Sequence, residues 1–464
     1  MAESPFRQYD IRGIVGEAIT PDLARSVGRA LGSLLLQGAR VALGRDCRHS
    51  SAELQGQLAA GLCEAGCDVL DVGMVPTPAL YFAAMRYASG CGVMVTGSHN
   101  PSNHNGFKPL LGGINPPAEV LQVLRRRCDA GIRPALHRGS VREFSVEADY
   151  LRSAAAALRP IRHPLHVVID AGNGAAGDMA VKFFERIGCL VTPLFCDPDG
   201  DFPNHHPDPV VPDNLIHLRR TVREQGADLG LAYDTDGDRL GVVASDGRIV
   251  PCDRVLALLM SALLIDHPGA ACVYDVKCSD ALPQTVERLG GIAHLSRTGH
   301  TLVKARMRGT GALLAGEFSG HICFADRWCG MDDALYAGAR LIEGIDSGLD
   351  MDGVLAQLPV RVGTPELYVP VGDVDKFAMV EALQCNPSWL GAPERIIGID
   401  GVRAEWPDGW GLIRASNTTP ALTLRLEGHT EAALEGIYNR LSFALQQVGA
   451  QPPPLEILTE DPLD

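Results

Sequence analysis

Apolar residues along this 464-residue chain gather in short runs separated by amphipathic stretches, and one order of runs recurs three times. Val41 to Asp46, His166 to Asp170 and Ala271 to Asp275 each read as a buried strand that ends in aspartate and leads into a helix. A second run follows each helix, at Cys67 to Val72, Cys189 to Thr192 and Ile292 to Leu295. A third closes each unit, at Gly92 to Val95, Asp228 to Ala232 and Ala312 to Ala315. Strands that alternate with helices in this way predict parallel sheets with right-handed crossovers. Ahead of the first unit, Thr20 caps a predicted helix with Pro21 in its first turn, an apolar face through Leu23, Val27, Leu31 and Leu34, and Gly38 as its stop. Near Arg361 the pattern changes: Pro359, Pro365 and Pro370 mark an extended linker, and a strand at Leu422 to Leu426 precedes a helix from about Thr430 to Gln447. The expected fold is α/β, with three similar domains built on mixed or parallel sheets and a smaller C-terminal α+β domain around a central cleft. Their expected limits are residues 1–144, 145–248, 249–360 and 361–464, the length being too great for one core.

Composition narrows the class. With 46% hydrophobic and 21% charged residues the chain reads as globular and soluble, and a net charge of −15 argues against nucleic acid or an anionic membrane as partner. Its 13 cysteines include no Cys-x-x-Cys pair and read as reduced thiols. The amino terminus lacks the regions of a signal peptide, and the longest apolar run, Val255 to Ile265, is too short to span a bilayer. A cytoplasmic location is expected.

Ligands of open parallel sheets bind beyond the carboxyl ends of the strands, and each third run leads into a polar loop: Thr96 to Lys108, Tyr233 to Arg239 and Gly316 to His321. In the first, Ser98 is the candidate carrier of a phosphoryl group; Gly97 permits a tight turn, His99 can orient the serine or simply fill space, and Lys108 brings positive charge back toward the loop. An ordinary strand-to-helix turn would use the same residue types. The second loop places Asp234, Asp236 and Asp238 at alternate positions, a crowding of carboxylates that a hard divalent cation such as magnesium relieves. An EF-hand is a poor rival, because its sixth position would be Arg239 instead of glycine and its twelfth Ser245 instead of glutamate. Glu317, Ser319 and His321 suit hydrogen bonding to sugar hydroxyls. Arg414 to Pro420 has the make-up of a phosphate cradle, with Arg425 on the next strand as a second charge. Arg7 and Arg12, just before the first helix, could also reach a phosphate, and Lys277 and His300 are placed to face the same cleft. One motif points elsewhere: Gly172, Gly174 and Gly177 have dinucleotide-binding spacing, with Asp197 about twenty residues on, which makes a nicotinamide-dependent dehydrogenase the rival. That rival leaves the other loops unexplained. No ordered Ser-His-Asp triad is present, which disfavours acyl-serine hydrolysis.

Tyr9 to Gly13, Thr96 to Pro101, Asp234 to Arg239, Gly316 to His321 and Arg414 to Pro420 occur in this order over essentially the whole chain. In them the chain resembles the α-D-phosphohexomutase superfamily, and most closely its bacterial phosphomannomutase/phosphoglucomutase branch. The resemblance implies four domains around a central cleft, with Ser98 as phosphoserine and Asp234, Asp236 and Asp238 holding magnesium together with the Ser98 phosphate. It implies that Glu317 and Ser319 bind sugar hydroxyls and that Arg414, Ser416, Asn417 and Thr418 hold the non-reacting phosphate. Tyr9, Arg12, Lys108, Arg239, Lys277, His300, His321 and Arg425 join the site by the same match, Lys108 and His321 as acid/base candidates. The implied reaction is reversible phosphoryl transfer between the 1- and 6-positions of mannose and glucose phosphates through a hexose 1,6-bisphosphate, with glucose 1,6-bisphosphate as activator. The implied partners are hexose phosphates, and the expected assembly is a monomer or weak dimer. Glu317-Phe318-Ser319 looks closer to the dual-specificity branch than to the Glu-Gln-Ser of phosphoglucosamine mutases, the alternative within the class. Outside it stand the dehydrogenase and a non-catalytic sugar-phosphate-binding protein. His104 stands where many similar chains have tyrosine.

Overall fold

The computed structural model describes residues 4–371, 375–416 and 419–457. The first sheet contains β1 (Ile11–Ile14), β2 (Arg40–Arg45), β3 (Asp68–Met74), β4 (Gly92–Val95), β5 (His104–Leu110) and β6 (Val141–Glu143) in the order β1-β5-β4-β2-β3-β6. The second contains β7 (His166–Asp170), β8 (Leu190–Leu194), β9 (Leu229–Tyr233), β10 (Leu240–Ala244) and β11 (Ile249–Val250), ordered β11-β10-β9-β7-β8. The third contains β12 (Ala271–Asp275), β13 (Ile292–Ser296), β14 (Leu314–Gly316) and β15 (Ile322–Phe324), ordered β13-β12-β14-β15. The fourth contains β16 (Val362–Gly363), β17 (Leu367–Pro370), β18 (Arg395–Ile397), β19 (Val402–Trp406), β20 (Gly409–Ala415) and β21 (Ala421–Gly428).

The threefold repeat is present: the first, second and third strands of each unit pair in parallel, with the first strand in the middle. Each unit also has a strand that the apolar pattern did not predict. β5, β10 and β15 return antiparallel to β4, β9 and β14, so each polar loop is the tip of a β-hairpin. The expected first loop is therefore too long, for Lys108 lies on β5 opposite Met94. The hairpin β20–β21 supplies a fourth tip with the same construction.

Three further expectations need correction. The first helix, Pro21–Gly32, is capped by Thr20 but ends six residues before Gly38, at a glycine where a Cβ would lie 2.5 Å from the Ala65 Cβ. The proline-marked linker is not free-running, because β16 and β17 pair antiparallel with β21, and edge strands tolerate the missing N–H groups of proline. β11 belongs to the second sheet, so the change of sheet follows Val250 instead of preceding residue 249.

The largest apolar cluster is continuous through the first three units, from Leu80 and Tyr81 through Phe183 and Leu231 to Leu256 and Tyr336. The fourth sheet has its own core around Leu383, Leu424 and Leu441. Among the described residues no helix is long and apolar enough to cross a membrane.

Candidate active site

The first hairpin tip presents Ser98, 1% exposed, in the left-handed region at φ 49°, a conformation that costs a non-glycine residue about 1–3 kcal/mol and needs support. The support comes from Asp46 and Arg48, both fully buried, just beyond β2. Asp46 Oδ2 accepts from Thr96 Oγ1 at 2.7 Å and Gly97 N at 3.3 Å, and Thr96 Oγ1 in turn accepts from Ser98 N at 2.8 Å. Arg48 pairs with Asp46 at 3.1 Å and donates to the carbonyls of Ser98 (2.5 Å), Asn100 (2.6 Å), Pro101 (2.6 Å) and His104 (3.1 Å). So held, Ser98 Oγ donates to Asp234 Oδ2 at 2.8 Å and lies 3.4 Å from His99 Nδ1. Burial and the nearby Arg239 and Arg12 cations keep the His99 pKa low, so this imidazole is neutral.

The second tip delivers Asp234, Asp236 and Asp238, each with no exposed surface and with a carboxylate oxygen within 4.8 Å of the others. Lys108 reaches across from β5 and donates to Asp236 Oδ2 and Asp238 Oδ2, each at 2.7 Å. Thr77 also fixes Asp236, through its hydroxyl to Oδ2 and its amide to the backbone carbonyl at 2.7 Å. Burial and the two neighbouring carboxylates push the Asp234 pKa up; Asp238, buried as well, is held down by Lys108 and His321. Burial alone would lower the Lys108 pKa, yet the three carboxylates raise it. Asp236 Oδ1 and Asp238 Oδ1 are buried without a hydrogen-bond partner among the described residues. Hard oxygen donors left unsatisfied in one buried cluster fit a divalent cation such as magnesium.

The second and third tips are joined by a bridge between Arg239 and His321 and by Leu240 N donating to Gly320 O at 3.0 Å. Arg239 Nε donates to His321 Nε2 at 3.2 Å, which leaves the ring proton on Nδ1, 3.2 Å from Asp332 Oδ2. Asp332 also faces His300 Nδ1 at 3.1 Å and is ion-paired with Lys304, and the two imidazoles stack 5.4 Å apart. Glu317 Oε2 accepts from Gly299 N at 3.1 Å and from Ser319 Oγ at 3.5 Å, while Oε1 is buried and has no partner among the described residues. Asp275, at the end of β12, accepts from Phe318 N at 3.0 Å and Thr298 Oγ1 at 2.7 Å, so it anchors the third tip much as Asp46 anchors the first. Tyr9 meets the His300 ring edge-on at 6.1 Å, and Arg12 donates to Asn100 Oδ1 at 2.8 Å and Asp10 Oδ2 at 2.6 Å.

At the fourth tip Arg414 Nε donates to Asp400 Oδ2 at 3.3 Å, and its Nη2 is buried without a partner among the described residues. Ser416 Oγ accepts from Thr419 N at 3.1 Å; Asn417 and Thr418 lie outside the described residues. Lys277 is ion-paired with Glu366 at 2.9 Å. Arg425 does not add a free charge to the cradle. It is pinned beneath by Glu427 (2.7 Å), Asp253 (3.6 Å) and the carbonyl of Lys277 (2.6 Å), with its guanidinium 3.9 Å from the Phe318 ring.

In the glycine turn after β7 four successive amides are already occupied. Gly172, Asn173, Gly174 and Ala175 donate to Asp170, Phe195, Ala171 and Thr235 at 2.7–2.9 Å, and a Cβ on Gly177 would meet Cys196 O at 2.1 Å. Gly174 packs the turn against Thr235 of the aspartate loop, Gly172 against Pro207 and Gly177 against Cys196. Sequence reasoning noticed Asp46 and Asp275 only as strand ends; Arg48, Thr77, Asp332, Lys304, Glu366 and Asp400 it passed over. The repeated strand-terminal aspartate was the one available signal.

Four family models match the chain in succession: phosphoglucomutase/phosphomannomutase alpha/beta/alpha domain I at residues 3–132, domain II at 148–247, domain III at 251–360 and the C-terminal domain at 366–442. The phosphomannomutase/phosphoglucomutase of Pseudomonas aeruginosa is 45% identical over 453 residues, which is 97% of each chain. The phosphoglucomutase of Neisseria gonorrhoeae is 45% identical over 445 residues, 95% of this chain and 96% of that one. A crystal structure of a phosphoglucomutase/phosphomannomutase family protein from Burkholderia thailandensis is 42% identical, with a TM-score of 0.89 over 98% of this chain and 99% of that one. On sequence and on structure, the chain belongs to the phosphoglucomutase/phosphomannomutase family.

Proposed function

We propose that the protein is a dual-specificity mutase that moves a phosphoryl group between the 1- and 6-positions of mannose and glucose phosphates through phosphorylated Ser98. The observation that carries this reading is the 2.8 Å contact between Ser98 Oγ and Asp234, in a cluster whose carboxylate oxygens are not all satisfied. In the forward step the bond from phosphorus to Ser98 Oγ breaks as a bond forms to the free sugar hydroxyl, giving a hexose 1,6-bisphosphate. After that intermediate turns over, its other phosphate returns to Ser98. Glucose 1,6-bisphosphate acts as activator because it can phosphorylate the bare serine.

Asp234, Asp236, Asp238 and the Ser98 phosphate would hold magnesium, which supplies Lewis-acid stabilisation of charge on the phosphoryl oxygens. Lys108, kept cationic by its carboxylates, contributes electrostatics more readily than proton abstraction. His321 is the candidate base for the proton of the attacking hydroxyl; it accepts at Nε2 only when Arg239 gives up its hydrogen bond to that atom, the Nδ1 proton staying toward Asp332. Glu317 and Ser319 take sugar hydroxyls. The fourth tip, with Arg414, Ser416, Asn417 and Thr418, takes the non-reacting phosphate beside Lys277, while Tyr9, Arg12 and His300 line the wall. Domain limits at 1–144, 145–250, 251–360 and 361–464 fit this division of labour. The 13 free thiols suit a cytoplasmic enzyme, and the complete site within one chain suits a monomer or weak dimer.

The test is a parallel assay of mannose 1-phosphate and glucose 1-phosphate with magnesium and a trace of glucose 1,6-bisphosphate. Comparable turnover of both supports the reading, and turnover of one alone removes the dual specificity. Turnover of glucosamine phosphate alone would reassign the substrate. Ser98→Ala should remove most activity without unfolding the protein; a fully active variant would overturn the mechanism.

A further inference from the structure

Glu366 immediately precedes β17 of the fourth sheet, and its carboxylate Oε2 lies 2.9 Å from Lys277 Nζ, in the loop after β12 of the third. Lys277 is 5% exposed and Glu366 21%, so water screens the pair only partly. Arg414 and Arg239 also attract this carboxylate; with Lys277 they hold its pKa below the ordinary value although burial opposes them. Arg414 Nη2 has no hydrogen-bond partner among the described residues. A carboxylate thus stands among the cations that the proposed function assigns to the non-reacting phosphate.

We propose that Glu366 is an internal anion that competes with the substrate's phosphate for Lys277 and thereby sets how firmly the site holds it. This rests on the reading of Lys277 and Arg414 as phosphate-binding groups. The physical reason lies in the reaction. A bisphosphate intermediate has to release each phosphate and present the opposite end to Ser98 without dissociating. Arg414 keeps Asp400 as a partner, but a buried Lys277 stripped of a phosphate and left bare would resist that release, since an unpaired buried charge is costly. A tethered carboxylate of the same sign as the phosphate, on the segment entering the fourth sheet, re-covers Lys277 as the phosphate leaves. It therefore weakens ground-state binding and eases turnover, a trade that favours kcat over KM. Glutamine at this position keeps the volume and loses the charge.

The test separates this inference from the proposed function by using inorganic phosphate as the probe. Calorimetric titration of phosphate into the wild type, Glu366→Gln, Lys277→Met and the double variant should show roughly three- to tenfold tighter binding in Glu366→Gln, with no such gain in the Lys277→Met background. In steady state with hexose 1-phosphate, KM and kcat of Glu366→Gln should fall together, leaving kcat/KM nearly unchanged. Phosphate affinity that is unchanged, weaker or unmeasurable in Glu366→Gln overturns the proposal and leaves Glu366 as a structural tether. A lower kcat at unchanged KM also counts against it. If the wild type turns over no hexose phosphate, the proposed function falls, while the phosphate titrations still decide whether Glu366 competes for Lys277.

Discussion

Lys108 Nζ sits 2.7 Å from both Asp236 Oδ2 and Asp238 Oδ2, so one ammonium on the return strand of the first sheet offsets part of the negative charge at the tip of the second. All three groups are essentially buried. Removing one partner of a buried ion pair typically costs about 3–5 kcal/mol, because the other charges are left uncompensated. Lys108→Met should lose stability on that scale in chelator and lose nearly all turnover. Added magnesium should recover more stability in the variant than in the wild type, since it replaces the missing cation. Thermal melts with EDTA and with magnesium chloride check this; an equal magnesium shift in both proteins would separate Lys108 from the metal cluster.

The three-unit repeat was legible because the first and third strands of each unit are buried on both faces and read as unbroken apolar runs, while β8 and β13 are partly exposed edge strands. Ser98, the aspartate loop and Glu317 stood out as polar residues directly after such runs. The return strands were not legible: β5 reads His-Asn-Gly-Phe-Lys-Pro-Leu, in which Gly106 and Pro109 both argue against a strand. That gap hid the hairpin construction and left Lys108 in a loop. Arg425 misled because β21 places it on the same face as Thr423 and Glu427, and Glu427 claims its charge. Asp332 and Glu366 are isolated acids in sequence, and only the fold brings them to His321 and Lys277. Asn417 and Thr418 lie outside the described residues.

His300 gives a pH signature. Burial and the Lys304 cation outweigh Asp332 and lower its pKa from 6.5 to about 4. The folded state therefore resists a proton that the unfolded chain accepts between those values. Stability from this group is complete above pH 6.5 and is lost as pH falls toward 4. Between pH 7 and pH 5 the loss should be roughly 2 kcal/mol, discounted for any relaxation of the buried cluster. His300→Asn should flatten that part of the curve in chemical denaturation at the two pH values. An unchanged slope would show that His300 titrates normally.

Arg48 touches no atom that reacts, yet it holds four carbonyls of the segment from Ser98 to His104. Releasing that segment lets the Ser98 backbone leave φ 49° and moves Oγ away from Asp234. Misplacing a reacting group by an ångström can cost on the order of a hundredfold in rate. Arg48→Met should lower kcat on about that scale with KM changed little, and Arg48→Lys, with one charge but no planar fork, should recover only part. If KM rises and kcat holds, Arg48 serves substrate binding instead.

Glu317 is poised to accept a hydroxyl: Oε2 is occupied by Gly299 N, and Oε1 is buried with no partner among the described residues. Burial raises its pKa, and a bound sugar hydroxyl donating to Oε1 would favour the charged form again. Glu317→Gln loses a charge-assisted hydrogen bond, so kcat/KM should fall roughly ten- to a hundredfold, with melting temperature nearly unchanged. If Glu317 reads only hydroxyls that glucose and mannose share, the loss must be equal for both 1-phosphates. A loss several times larger for one sugar would mean that Glu317 senses the 2-position, and the proposed dual specificity would then have to arise elsewhere in the site.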